Sequence, residues 1–297
     1  MLPHWLTVEI LMLEKHVAIT GPTAGIGRYA ALEFARRGAD LTLFCRNQDK
    51  ASELQQEITA AGGKPPTIIL MDMADLNSVR KAAEKFLDSD RALDVLLNNA
   101  GVVNTSRRET VDGFEETLAV NHFAPFLLTG LLLPALQRAD NARIVNVASH
   151  AHTFVKNMGF DDMQAERGYK TFREYGRSKL ANILFTRTLA QRLSGTGITV
   201  NCLHPGAVAT SLGTNNKGLL SWLLPALLKP FFRSPQQGAA TSIYLCTSED
   251  VSATSGEYFV NCKQARAKPW GRDDKQAQRL WDYTQETLGY TYPAFNS

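Results

Sequence analysis

Residues 17–27 of the chain, Val-Ala-Ile-Thr-Gly-Pro-Thr-Ala-Gly-Ile-Gly, decide the fold. The first four residues predict a short strand, and the residues after the glycines predict a helix that Gly38 ends. Gly21, Gly25 and Gly27 lie between them, spaced Gly-x-x-x-Gly-x-Gly rather than Gly-x-Gly-x-x-Gly. Glycine lets the backbone approach a bound group, and a helix N-terminus presents free N–H groups. The stretch therefore predicts a nucleotide pyrophosphate site; the alternative is a tight turn without a ligand.

The rest of the chain alternates strand-like and helix-like runs. Right-handed crossovers join such strands into a parallel sheet, so we predict a single doubly wound, Rossmann-type α/β fold with helices on both faces. Residues 1–13 are expected to be an N-terminal extension, and 14–297 one domain. The predicted strands after the first are 41–45, 67–71, 93–97, 143–148, 198–203 and 258–260, and the predicted helices after the first are 49–61, 75–87, 111–138, 171–193, 235–247 and 273–288.

Composition excludes several classes of protein. The 297 residues are 44% hydrophobic and 21% charged, which is ordinary for a globular protein. The net charge of +3 is mild and no Lys/Arg block is present, so a nucleic-acid partner is not expected. The four cysteines form no CxxC pair, which predicts neither a metal site nor a disulfide framework and favours a reduced, cytoplasmic compartment. Residues 1–13 are too short for a membrane-spanning helix, which needs about 20 apolar residues.

The end of the second strand is where this fold reads the adenosine ribose. An acidic residue there favours NAD, whereas a basic residue accommodates the 2′-phosphate of NADP. Arg46 follows this strand and no carboxylate precedes Asp49, so we predict a preference for NADPH; the alternative is an exposed surface arginine. Asp72 ends the third strand and is predicted to meet the adenine amino group, or else to cap a helix. The run 98–101, Asn-Asn-Ala-Gly, either passes under the cofactor or ties strand ends together.

A second group of residues predicts the chemistry. Tyr175 and Lys179 are four residues apart in a predicted helix and fall on one face of it. The neighbouring ammonium and a cationic nicotinamide both favour phenolate, so we expect the pKa of Tyr175 to fall and the phenol to act as a general acid and base. Ser149 can hydrogen-bond the substrate oxygen, and Asn121 can hold a water that links Lys179 to solvent. Taken singly, each residue also fits a surface, capping or core role.

Together these motifs resemble the short-chain dehydrogenase/reductase family, over roughly residues 15–263. The resemblance rests on 20–27, 98–101, Asn121, Ser149, Tyr175-x-x-x-Lys179 and Pro205-Gly206. A narrower resemblance, to the retinol-dehydrogenase-like branch, rests on 45–46, 120–123, 143–147, 178–182, 204–206, 234–239 and 256–263. It implies a catalytic set of Asn121, Ser149, Tyr175 and Lys179, and hydride transfer at C4 of NADP. The residues expected to contact the cofactor are Gly21, Thr23, Ala24, Gly25, Ile26, Gly27, Arg46, Asn47, Asp72, Met73, Asn99, Ala100, Gly101, Tyr175, Lys179, Pro205, Gly206, Val208 and Thr210.

Residues 218–233 are strongly apolar and carry Trp222. They lie in the segment 210–233, which the family resemblance implies to be a lid over the substrate. It predicts a lipophilic aldehyde, ketone or alcohol as substrate. Ordinary core, a homo-oligomer contact and a weak membrane-surface contact through 218–233 stay open as alternatives. Two other functions also stay open: a hydroxysteroid or other secondary-alcohol dehydrogenase, and a non-catalytic NADP-sensing or scaffold protein.

Overall fold

The computed structural model describes residues 12–206 and 234–294, and eight strands in these ranges form one sheet. Their order is β3-β2-β1-β4-β5-β6-β7-β8, and every neighbouring pair is parallel except β7 with β8. The predicted doubly wound parallel sheet is therefore confirmed. The strands are β1 His16–Thr20, β2 Asp40–Cys45, β3 Thr67–Leu70, β4 Val95–Asn98, β5 Arg143–Val147, β6 Thr199–His204, β7 Tyr258–Val260 and β8 Lys263–Ala265.

Helices cover both faces of the sheet because successive strand residues point to opposite sides. Within β1, Val17 and Ile19 pack into one apolar cluster and Ala18 into the other. The first cluster lies under α1, α2 and α6, and the second under α3, α4, α5 and α7. The helices are α1 Gly25–Arg36, α2 Gln48–Ala60, α3 Leu76–Leu87, α4 Glu116–Leu136, α5 Thr171–Arg192, α6 Pro235–Thr247 and α7 Asp274–Leu288.

Helix α4 differs from its prediction at its start and in its first turns. It begins at Glu116 and not at 111, because residues 109–115 form a tight turn closed by a bridge between Glu109 and Glu115. The carboxylate of Asp112 in this turn accepts the backbone N–H of Leu76 at 2.9 Å and so serves the start of α3. Residues Ala119–Phe123 of α4 are π-helical, and such insertions often mark functional positions.

Strand β8, an antiparallel edge of three residues, was missed because its sequence, Lys-Gln-Ala, has no apolar alternation.

Among the described residues, α4 has the length and hydropathy of a membrane span, but 89% of its apolar window is buried inside the protein, as in a core helix. The predicted extension up to residue 11, the predicted lid, Val208 and Thr210 lie outside the described residues.

Candidate active site

A cavity of about 420 Å³ opens at the carboxyl ends of β1, β2, β4 and β5, where α/β sheets bind ligands. Of the described residues predicted to contact the cofactor, only Gly206 is not part of its lining. The lining also contains Phe44, Cys45, Lys50, Met71, Ala74, Val102, Val103, Asn104, Glu116, Val120, Val147 and Ala148. Several of these additional residues lie one or two positions beyond a predicted residue. Lys50, Asn104 and Glu116 were not predicted because they belong to no recognisable sequence motif.

The glycines of the first turn make room for a bound group. A Cβ on Gly27 would lie 2.3 Å from the backbone oxygen of Gly21, and a Cβ on Gly21 would lie 3.1 Å from Ala100. Gly21 also has a φ of 63°, in the region that favours glycine. Ala24 precedes α1 and has no side chain that could cap it, so the first N–H groups of the helix face the cavity. This arrangement fits the pyrophosphate of a dinucleotide.

The asparagines after β4 connect neighbouring strand ends. The side chain of Asn98 donates to Asn146 at 2.9 Å and so joins β4 to β5. The side chain of Asn99 donates to the backbone oxygens of Thr20 and Gly21, at 3.0 and 3.1 Å, and so joins β4 to the glycine turn. Of the two roles left open by the sequence, tying the strand ends is directly visible, and Asn99 lines the cavity as well.

The adenosine end of the cavity carries two positive charges. Arg46 and Lys50 both line it, and both are exposed. Within 12–206 and 234–294, neither side chain has a hydrogen-bond or ion-pair partner. Asn47 lies between them and accepts the backbone N–H of Lys50 at 2.8 Å, which caps α2 and fixes the turn. The predicted Arg46 therefore lies at this end of the cavity, and Lys50 lies there as well although the sequence did not predict it.

Asp72 shapes the turn before α3 but does not cap that helix, and its contact with an adenine stays a prediction. Its carboxylate accepts the backbone N–H of Ala74 at 2.9 Å and thereby shapes the turn before α3. The cap of α3 itself is Asp75, which accepts the N–H groups of Asn77 and Ser78. Asp72 is exposed and lines the cavity next to Met73, so its second carboxylate oxygen can meet an adenine amino group.

Three of the four predicted catalytic groups lie together. Ser149 lies close enough to Tyr175 to lower the pKa of its phenol, and Lys179 lies with its Nζ 5.7 Å from the centre of the tyrosine ring. Lys179 is buried and donates from Nζ to the backbone oxygen of Val147 at 3.0 Å. Ser149 also accepts the backbone N–H of Ala151 at 3.1 Å and so caps the following 3₁₀ turn, His150–Phe154. The capping role weighed for Ser149 therefore coexists with its contact to Tyr175.

The side chain of Asn121 makes the hydrogen bonds of a satisfied core amide, which is its alternative role, and its hold on a water stays a prediction. Its Oδ1 accepts the N–H of Val102 at 2.8 Å, and its Nδ2 donates to the carbonyl of Val102 and to Ser178 Oγ. These three bonds hold the start of the 102–104 wall against α5 and leave the carboxamide no free donor for a water. The residue still lies beside Lys179, since a Cβ on Gly101 would be 3.1 Å from Asn121 Oδ1 and 3.3 Å from Lys179 Nζ.

The expected fall in the pKa of Tyr175 is wrong for the protein without a bound cofactor. Burial raises the pKa of Tyr175 above its usual value, and the hydrogen bond with Ser149 opposes this rise. Burial lowers the pKa of Lys179 to about 8, because a desolvated ammonium is disfavoured. Lys179 is thus a group that changes charge close to neutral pH. A lowering of the Tyr175 pKa by a cationic nicotinamide stays a prediction for the cofactor-bound protein.

Comparison with known proteins identifies the family to which this chain belongs. The short chain dehydrogenase family matches residues 15–218. Retinol dehydrogenase 12 of Mus musculus is 43% identical over 284 residues, which are 95% of this chain and 89% of that protein. Retinol dehydrogenase 14 of Mus musculus is 42% identical over 298 residues, with 94% and 87% covered.

Solved structures agree with this result. A protein of Mycobacterium paratuberculosis described as uncharacterised is 28% identical, with a TM-score of 0.77 and coverage of 95% of this chain and 96% of that one. A protein of Beutenbergia cavernae described as an NAD(P) dependent gluconate 5-dehydrogenase, solved with NADP at low occupancy, is 27% identical, with a TM-score of 0.69 and coverage of 85% and 97%.

This chain therefore belongs to the short chain dehydrogenase family of oxidoreductases. Within the family it belongs to the retinol-dehydrogenase-like branch that its sequence motifs predicted.

Proposed function

We propose that this protein is an NADP(H)-dependent oxidoreductase that reduces a lipophilic aldehyde or ketone and reversibly oxidises the corresponding alcohol. The observation that carries the proposal is the contact of Tyr175 with Ser149 beside the buried Lys179, at one end of a cavity whose other end carries Arg46. The cavity therefore brings a proton donor and a nucleotide-binding turn to the same sheet edge.

The charges at the adenosine end support NADP over NAD. Arg46 presents a planar fork of N–H donors that suits a phosphate, and Lys50 adds a second positive charge. An NAD-specific site needs a carboxylate at the end of β2 to accept the ribose hydroxyls, and β2 ends in Cys45 followed by Arg46. These charges support a 2′-phosphate as the group bound at this turn.

The chain's own groups account for the proton and for the orientation of the substrate. A reduced nicotinamide, when bound, supplies the hydride for the carbonyl carbon. The hydroxyl of Tyr175 gives its proton to the carbonyl oxygen, and the hydroxyl of Ser149 donates a hydrogen bond to the same oxygen. Lys179 places a positive charge next to the phenolate that remains, which stabilises it until a proton returns from solvent.

The substrate class rests on apolar surroundings and on relatives. Val102, Val120, Val147 and Ala148 supply apolar surface in the wall of the cavity. The relatives of about 40% identity are named retinol dehydrogenases, whose name denotes a long apolar alcohol. Contact with a membrane surface or a second copy, and a cytoplasmic location, stay predictions, because 218–233 lies outside the described residues.

The test is NADPH consumption against long-chain aldehydes, retinal, steroid ketones and small quinones, with the Tyr175→Phe variant measured in parallel. We expect turnover of the apolar aldehydes that the variant loses at least about 100-fold, the lower end of the range for general acid catalysis. Turnover confined to steroid ketones would support the secondary-alcohol alternative. Tight NADPH binding without turnover of any compound would contradict the proposal and support a sensing role.

A further inference from the structure

The connection from Ser149 to Tyr175 is held to the catalytic helix by one buried side chain. This connection, residues 150–170, begins with the 3₁₀ turn and leads into α5, so it joins the two hydroxyls that the proposed reaction uses. A loop of this length next to a cavity has many conformations available unless specific bonds select one. The hydrogen bonds of Arg177 hold the connection in one of these conformations.

Arg177 is 6% exposed, and its guanidinium has a protein partner on every side. Nε donates to the carbonyl of Met158 at 2.7 Å, and Nη2 donates to the carbonyls of Gly159 and Asp162, at 3.0 and 2.8 Å. Nη1 donates to the carboxylate of Glu174 at 2.7 Å. Three backbone carbonyls of the connection thus converge on a single side chain of α5.

The same stretch of the connection is also fixed from its other side. The N–H of Met158 donates to Oε1 of Gln276 in α7 at 2.6 Å, so the two peptide groups of Met158 bridge α7 and α5. Gly159 adopts a φ of 59°, which brings its carbonyl toward the guanidinium. A planar guanidinium can serve these acceptors in one plane, whereas the three donors of a lysine ammonium radiate from a single atom.

Arg177 lies two residues after Tyr175, and its ionic partner Glu174 lies one residue before it. Both are buried, so the pair fixes the first turns of α5 on which the tyrosine stands. Removal of Arg177 would leave the carbonyl of Met158 without its donor, while those of Gly159 and Asp162 would keep only backbone N–H donors. Within the described ranges, the buried carboxylate of Glu174 would retain Arg173 as its cationic partner. The connection and the first turns of α5 would then relax together, and with them the contact between Ser149 and Tyr175.

We propose that Arg177 is a positioning residue that holds Ser149 and Tyr175 in contact by anchoring the connection between them to α5. The inference rests on the proposed function for its kinetic test, and it has a second readout that needs no substrate. Arg177 itself does not line the cavity.

The experiment compares Arg177→Lys with the double variant Glu174→Gln/Arg177→Met, which removes the buried carboxylate charge together with the guanidinium. We expect kcat to fall at least about tenfold in both, while the Kd for NADPH, measured by fluorescence titration, changes less than twofold. The matched control is Arg167→Met, on the same connection. Its guanidinium is 71% exposed and, among the described residues, forms an ion pair with an exposed Asp161, so we expect no change in kcat.

The substrate-free readout is the ionisation of Tyr175, followed by ultraviolet difference titration with the Tyr175→Phe protein as reference. Loss of the Ser149 contact removes the interaction that opposes the burial of the phenol, so its titration should move to higher pH in the Arg177 variants, as in Ser149→Ala. Adding Ser149→Ala to Arg177→Lys should then cause no further shift.

Two results would overturn the inference. One is an unshifted tyrosine titration in folded Arg177 variants; the other is a loss of kcat that equals the loss of folded, NADPH-binding protein. If Arg177→Lys shifts the titration and no carbonyl compound is turned over by the unmodified protein, the positioning role stands and the proposed function fails.

Discussion

Gly176 lies against the carbonyl oxygen of Ala151, and a Cβ on Gly176 would be only 2.7 Å from that oxygen. Gly176 directly follows Tyr175 in α5, and Ala151 belongs to the 3₁₀ turn that Ser149 caps. The closeness of these two backbones therefore sets how near the serine can come to the tyrosine. A glycine at this helical position lowers stability by about 0.5–1 kcal/mol relative to alanine. It is needed here because only a residue without a side chain allows the two backbones to approach so closely.

The first prediction is that Gly176→Ala separates Ser149 from Tyr175. The added methyl gains helix propensity but must displace the 3₁₀ turn, so we expect kcat to fall about tenfold with the Kd for NADPH nearly unchanged. Steady-state kinetics and NADPH titration measure both quantities. Gln191→Ala, at the exposed end of the same helix, should leave kcat unchanged. A Gly176→Ala protein with full kcat would show that the turn can yield without consequence.

The second prediction concerns the charge of Lys179. Burial brings the pKa of Lys179 to about 8, so its positive charge is present below about pH 8 and is lost above it. A neutral amine no longer favours the phenolate of Tyr175. Lys179→Met should therefore cut kcat for alcohol oxidation and shift the limb of its pH profile that reports the phenol to higher pH.

The pH dependence of kcat over about pH 6–10 measures this effect, with Lys170→Met as a control because that side chain is exposed at the start of α5. A profile with an unchanged midpoint in Lys179→Met would mean that the ammonium does not tune the phenol. The remaining role of Lys179 would then be its hydrogen bond to the carbonyl of Val147.

The third prediction separates the two positive charges at the adenosine end. Arg46→Glu should raise the KM for NADPH at least about 100-fold and that for NADH far less, since the carboxylate repels the 2′-phosphate and accepts a ribose hydroxyl. Lys50→Gln should raise the KM for NADPH less, about threefold to tenfold, because only a point charge is lost. Lys64→Gln, an exposed change beyond the end of α2, is the control. Equal effects of Arg46→Glu on both cofactors would rule out the 2′-phosphate contact.

The sequence predicts the layers of this fold because strand and helix periodicities are local properties. Residues 17–27 and the alternation after them predicted every parallel strand. The start of α4 was wrong by five residues because Asp112 is used by α3 through a contact that periodicity does not register. Strand β8 was missed because its pairing with β7 depends on its position at the sheet edge and not on its composition.

Some features of the candidate site could likewise be predicted from the sequence, and others could not. Tyr175, Lys179 and the glycine turn follow from spacing, and all of them line the cavity. The hydrogen-bond partners of Asn121 and Arg177 could not be predicted, since each bonds to backbone groups of segments remote in sequence, at Val102 and at 158–162. Backbone acceptors carry no residue type that a pattern could detect.

The fourth prediction is that the protein loses stability as the pH falls below about 6.5. His122 is buried in the core, with Nε2 3.1 Å from Oγ1 of Thr284, and burial lowers its pKa to about 3. His16, also buried, has its pKa lowered to about 4, first by burial and then by the charge of Arg91. An unfolded histidine has a pKa near ~6.5, so between that pH and about 4 the unfolded chain binds protons that the folded protein does not.

Stability therefore rises with pH across this window and is fully present above about pH 6.5. Each such histidine contributes up to about 1.4 kcal/mol per pH unit to the slope. Urea unfolding at several pH values from about 5 to 7.5 measures it, and His122→Gln should reduce the slope by nearly that amount. His150→Gln, which alters an exposed imidazole, should leave the slope unchanged. An identical slope in His122→Gln would mean that the buried imidazole gains its proton without unfolding the core.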